Sequence, residues 1–291
     1  MKPIAKPVLT AGAVLGEGSI WDHRKNLLYW VDILGQKVNI YNPKTAENIS
    51  FRVGQDVGTV VPWDSRFLMI AVSDGFARLD TETGEVNTIV KKEAKGIRFN
   101  DGKCDPAGRF WAGTMAYDLE EGSGALYSLN TDFSVKKRLD NVTISNGLAW
   151  TKDHKIFYYI DSPTCQVDAF DYDINTGNIG NRRTVISVDQ ELGFPDGMTI
   201  DGEGMLWIAH YGGGRVTRWN PKKGNMLATI EIPSAKLVTS CAFGGINLDE
   251  LYITTASVDL NEQDLMKQNL AGSLFKIKLD VTGIPAFNFK G

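Results

Sequence analysis

One period runs the length of this chain. Leu28, Leu68, Trp111, Phe157, Trp207 and Tyr252 each lie in a short apolar run that ends in a polar turn, and successive members stand 40 to 50 residues apart. A unit of that length cannot bury an apolar face alone, so neighbouring copies must stack; about 40–50 residues is the length of a four-stranded propeller blade. A second ladder has the same period. The segments Lys37–Asn42, Gly75–Asp80, Gly124–Asn130, Gln166–Asp171, Gly214–Asn220 and Gly272–Lys278 alternate apolar and polar residues, and most lead into turn pairs such as Asn42-Pro43, Thr83-Gly84 and Asn220-Pro221. Alternation bounded by turn residues marks strands joined in hairpins. The expected fold is therefore all-β: a six-bladed β-propeller of four-stranded antiparallel blades, spanning residues 1–291 as one domain. With 43% hydrophobic and 23% charged residues, the chain has enough apolar surface for such a core.

Within each unit the strands read as A (small residues, glycine-rich start), B (aromatic), C (alternating) and D (mixed polar). Strand A should be innermost, because crowding at a central axis favours small side chains, as in Gly147-Leu148-Ala149-Trp150. Antiparallel order then puts the start of A, the end of B and the start of C on one face. The long B–C connections, Gly113 to Gly124 and Thr255 to Gly272, belong to that face, and only Glu262–Gln268 has a helical pattern. Tight turns such as Asp105-Pro106-Ala107-Gly108 and Asp201-Gly202-Glu203-Gly204 mark the other face. Long loops in compact domains are often functional, which places function on the lid face. Either Val8–Val14 or Ala286–Phe289 is expected to complete the sixth blade and remove an open edge.

The polar residues follow the same register. Stepping back eleven residues from the six marker positions gives Glu17, Val57, Asn100, Asn146, Asp196 and Cys241. Taken singly, Asn146-Gly147 and Asp196-Gly197 read as tight turns, since such pairs reach positive φ cheaply. Turns do not explain why Glu17, Asn146 and Asp196 share one offset. Side chains there converge on the axis, where unpaired carboxylates are costly. A divalent cation resolves that cost: two carboxylates and an amide oxygen form an oxygen-only set suited to Ca²⁺, Mg²⁺ or Mn²⁺, with Zn²⁺ as a further candidate. Three protein ligands leave positions open for water or substrate.

Other chemistries are poorly supplied. The net charge of −4 argues against a nucleic-acid surface; Lys91–Lys92, Lys136–Arg138 and Lys222–Lys223 are short loop clusters. Met1–Thr10 lacks a signal-peptide core, and no run approaches the roughly 20 apolar residues of a membrane span. Cys104, Cys165 and Cys241 are scattered and odd in number, as expected of reduced thiols in a cytoplasmic protein. His23 and His154 fall in turns on the face away from the lids, while His210 ends a B strand on the lid face and is a candidate for substrate contact. There is no GxSxG elbow and no phosphate-binding glycine loop.

Several runs carry a family likeness. Arg98-Phe99-Asn100-Asp101-Gly102-Lys103, Ile144-Ser145-Asn146-Gly147-Leu148, Pro195-Asp196-Gly197, Ile156–Ser162 and Val167–Asp173 resemble the regucalcin and gluconolactonase family of propeller lactonases, from Gly16 onward. The resemblance implies hydrolysis of sugar-acid lactones with one divalent cation. Glu17, Asn146 and Asp196 would be the metal ligands, and Asp196 also the base that activates water. Arg98 and Asn100, on the loop entering the third blade, would hydrogen-bond the substrate. Asp118 stands where the family places a lid glutamate, although the lid is shorter here; Glu120 and Glu121 read as solvated lid charges. A phosphotriester or aryl-ester hydrolase with Asn100 as an extra ligand is the alternative enzyme, and a calcium-binding regulatory protein the non-enzymic one.

Overall fold

The innermost strands explain the architecture. Gly16–Asp22, Val57–Pro62, Ile97–Cys104, Ser145–Trp150, Phe194–Ile200 and Val238–Gly244 are buried almost end to end, whereas an outermost strand such as Glu47–Arg52 is largely exposed. In the computed structural model, which describes residues 3–91 and 95–291, each begins a four-stranded antiparallel sheet, and the six sheets form a six-bladed β-propeller. Of the basic clusters named above, Lys92 lies outside the described residues, as does Met1. The one α-helix among the described residues, Glu262–Lys267, sits in the long connection of blade 6; Asn261 and Asp264 cap each other's backbone N–H groups at its start.

The residues that mark the repeat in sequence bind the blades together. Trp111 of blade 3 meets Trp150 and Phe157 of blade 4 at ring separations of 5.6 and 5.1 Å, and Tyr252 of blade 6 stacks on Trp21 of blade 1 at 5.5 Å. Such pairs contribute about 0.5–1.5 kcal/mol beyond the area they bury. On the tight-turn face, Asp105 and Asp201 each accept the indole N–H of the tryptophan six residues on, Trp111 and Trp207, both at 2.9 Å. One device thus fixes the turn to the blade in two repeats.

Blade 6 is closed from the N-terminal side, by a strand that starts two residues before the expected Val8–Val14 and ends at Leu9. Lys6–Leu9 pairs antiparallel with Leu274–Lys278 as the outer strand beyond Glu250–Thr255 and Val238–Gly244. Residues 286–289 form no strand. Instead, Gly283–Gly291 runs across the tight-turn face: Gly202 N donates to Thr282 O at 2.7 Å, Phe289 N to Pro62 O at 2.9 Å and Lys290 N to Gly108 O at 3.1 Å. Phe289 is buried against Trp63 and Phe133. Residues 284–287 stop the central channel on that side, leaving a cavity of about 60 Å³ between them and the inner strands.

Two local readings are corrected. Asn146-Gly147 and Asp196-Gly197 lie inside strands, and neither glycine has a positive φ; among the register motifs only Gly18 does, at 58°. Every innermost strand shifts register near its lid-face end: between Glu17 and Ile20, Val57 and Thr59, Phe99 and Gly102, Asn146 and Leu148, Pro195 and Met198, and Val238 and Ser240. Such bulges turn side chains out of the pleat and recur beside active sites. Glycine is needed there for closeness. A Cβ at Gly147 would stand 2.9 Å from Asp196 O, and one at Gly197 2.8 Å from Ser240 Cα. Arg98 and Asn100 are likewise strand residues, within Ile97–Cys104, because the blade begins earlier than the glycine suggests.

Candidate active site

The bulged lid-face ends of the inner strands gather the polar residues. Asn100 Nδ2 donates to Asn146 Oδ1 at 3.0 Å and to Ser145 O at 2.9 Å, joining blades 3 and 4. Arg98 Nη1 donates to Asn100 Oδ1 at 2.7 Å and to Phe99 O at 3.1 Å. Asn146 Nδ2 donates to Ser162 Oγ at 2.7 Å, and Ser162 Oγ donates to Pro195 O at 2.6 Å, which carries the network to the residue before Asp196. Asn146 is therefore held from both sides, with its amide oxygen turned toward Asn100. Ser162 was not singled out in the sequence; it follows a B strand, where its spacing gives no signal.

Three carboxyl groups share this buried mouth. Glu17 accepts only its neighbour's N–H, from Gly18 at 2.9 Å, and Asp101 likewise accepts from Gly102 at 2.7 Å. Asp196 Oδ1 and Asp101 Oδ2 are buried with no hydrogen-bond partner among the described residues. Burial, then repulsion from Asp101, pushes Glu17 up to about 8. Asp196 is raised well above the carboxylate range by burial, then by Glu17 and Asp101. Asp101 is also raised, by burial. Asp101 belongs to the motif from which the sequence reading took Arg98 and Asn100 as site residues. The bulge brings both neighbours to the site, which a strict alternation of faces cannot reveal.

Counter-charge comes from two bases. Arg98 is buried beside the site, and burial lowers its pKa against the pull of Tyr117, Glu17, Asp56 and Asp196. Lys103 enters the channel beneath Asp101 and donates to the carbonyls of Leu148 and Met198. Tyr117, at the start of the blade 3 lid, donates to Asp56 Oδ2 at 2.8 Å. The lid is shorter than the sequence suggests, because the strand Phe110–Ala116 extends well into it.

Two expected residues lie apart from the cluster. Asp118 is exposed on the lid and accepts from Glu120 N at 3.2 Å. His210 is fully buried within blade 5: Nε2 meets Thr217 Oγ1 at 2.5 Å, and burial lowers its pKa to about 4. Its position on the lid-face end of a strand was legible, but the side chain turns into the blade, so substrate contact is ruled out in this arrangement. Tyr211, the next residue, takes the position near Asp196, whose charge helps to raise it to about 12 after burial.

The chemistry of the donor set bears on whether it can hold a cation. Among the described residues no group of three or more His, Cys, Asp or Glu side chains is arranged to hold a metal ion. The set Glu17, Asn146 and Asp196 has only two such residues and completes itself with an amide. Its oxygens are hard donors, one of them buried and orphaned, and its carboxyl groups repel one another. These features fit a divalent cation.

The relatives agree with the architecture. A family model described as SMP-30/Gluconolactonase/LRE-like region matches residues 15–257. Regucalcin of Danio rerio is 44% identical, over 95% of each chain. A Bacillus subtilis (strain 168) protein named as a candidate sugar lactone lactonase is 41% identical, over 96% of each. A solved structure of a calcium-binding protein, regucalcin from Agrobacterium tumefaciens strain C58, superposes with a TM-score of 0.94 at 26% identity, covering 99% of this chain and 98% of its own. By model, sequence and shape together, this chain is a member of the SMP-30/gluconolactonase/LRE-like family.

Proposed function

We propose that this protein opens sugar-acid lactones by water attack, using one divalent cation held by Glu17, Asn146 and Asp196. The observation that carries the reading is the orphaned, buried Asp196 Oδ1 beside the buried carboxyl group of Glu17. Leaving such groups unsatisfied costs about 1–3 kcal/mol each, so the pair is retained for a ligand. A cation bound there supplies Lewis-acid polarisation of the lactone carbonyl. Asp196 accepts the proton of the attacking water through Oδ1, the oxygen left without a protein partner. Arg98, anchored through Asn100, keeps further N–H donors for the hydroxyls or ring oxygen of the substrate. Asp118, on the lid rim, serves only hydroxyls far from the carbonyl.

The family and the bacterial relative support lactone hydrolysis, and the relative described as calcium-binding supports the cation. The test is a screen of five- and six-membered sugar lactones and a phosphotriester against Ca²⁺, Mg²⁺, Mn²⁺ and Zn²⁺, before and after chelation. Lactone turnover that disappears with chelator and returns with cation is expected. Full turnover in a stripped sample removes the metal role, and cation binding without any turnover makes this a binding protein.

A further inference from the structure

A second concavity lies on the face away from the lids. It has a volume of about 320 Å³ and is lined by His23 from the first turn of blade 1, Lys152 and His154 from the corresponding turn of blade 4, and Lys290 from the crossing segment. Blades 1 and 4 face each other across the ring, so their turns meet over the axis. The floor is the apolar stretch Ile284–Phe287, and His154 packs edge-on against Phe287 at 5.6 Å.

The charge at this place runs against that of the whole molecule. The chain is acidic by four units, yet no Asp or Glu lines the cavity. Neither of the two nearest acids in sequence is among the lining residues. Asp22 is buried in a paired contact with Arg24 at 2.9 Å, and Asp153 accepts from Thr151 Oγ1 at 2.6 Å. Among the described residues, the side chains of His23, Lys152, His154 and Lys290 take part in no hydrogen bond or ion pair. Unpaired N–H donors above an apolar floor are complementary to one kind of ligand. The carboxylate end meets ammonium and imidazole donors, and a flat hydrocarbon body covers Pro285 and Phe287.

We propose that this cavity binds a small organic anion with a flat apolar body, of the aryl carboxylate class. Inorganic anions are disfavoured because they leave the apolar floor uncovered. The site is separated from the channel by one thickness of chain, since residues 284–287 line both cavities. The proposal does not rest on the lactonase reading.

Calorimetric titration with 2-naphthoate tests it, with 2-naphthamide as the neutral isostere and inorganic phosphate as the bare anion. One naphthoate per chain is expected, with naphthamide and phosphate each at least tenfold weaker. Replacing both exposed lysines, Lys152→Gln with Lys290→Gln, should weaken naphthoate at least tenfold while leaving the melting temperature unchanged. Asp196→Asn, at the opposite mouth, should leave naphthoate binding intact. Equal affinity for naphthoate and naphthamide, an unchanged affinity in the double variant, or loss of binding in Asp196→Asn would each overturn the assignment; the last would place the anion at the lid-face site.

Discussion

Asp196 combines two roles that one substitution can separate. Asp196→Asn keeps an oxygen donor but cannot take a proton. It should retain cation binding within about tenfold by calorimetry while lactone kcat/KM falls about 100-fold or more. Near wild-type turnover in the cation-loaded variant would move the base to another group. Arg98 makes a different kind of contribution. Its guanidinium is tied to Asn100 and Phe99. Arg98→Ala should remove about 1–3 kcal/mol of recognition from a hydroxylated lactone and far less from an unsubstituted one. Parallel kinetics on the two substrates decide this, and equal losses would take Arg98 out of substrate binding. The register of the repeat made Glu17, Asn146 and Asp196 legible because each sits at the same offset from an aromatic strand. Asp101, Lys103, Ser162 and Tyr211 were not legible as site residues, since each depends on a bulge, a channel contact or a strand end that has no spacing of its own.

At the level of the strand, the glycines set the site's width. Gly147 allows the inner strand of blade 4 to pass the inner strand of blade 5 closely: an added Cβ would lie 2.7 Å from Met198 Cβ and 2.9 Å from Asp196 O. Gly147→Ala should cost about 1–3 kcal/mol and lower the melting temperature by several degrees. It should also impair cation binding, because the displaced atoms belong to a ligand's own residue. A destabilised variant with unaltered cation affinity would show that the bulge serves packing alone. Sequence reading took these glycines for turns because Asn-Gly and Asp-Gly serve most often there. What it lacked was the neighbouring strand, which only the assembled ring provides. The six blades were readable for the opposite reason: Trp111, Phe157 and Tyr252 are large, evenly spaced and needed between blades, so the packing requirement is written in the residue type itself.

For the whole molecule, the buried carboxyl groups link stability to pH. Folded Glu17 holds its proton until about pH 8, whereas an unfolded glutamate releases it near 4.5. Between those values the folded chain binds more protons, so without a cation its stability falls as pH rises through the window. Asp196, also raised, acts in the same direction. Melting temperatures in chelator should decline from pH 5 to pH 8, and excess Ca²⁺ should flatten that slope. A pH-independent melt in chelator would contradict the burial of these groups. The closure of blade 6 has a consequence of another kind. Lys6–Leu9 comes before the first blade in the chain, and its partner Leu274–Lys278 comes only after the other five blades have been made. While the chain is being made, the earliest strand has nothing to pair with and the growing arc keeps two open flanks. The nascent protein thus carries exposed sheet edges until Leu274–Lys278 has emerged, and only then can the circle shut. A protease cut just after Leu9 would undo the fastening that holds first blade to last, whereas a cut in the blade 3 lid would leave it in place.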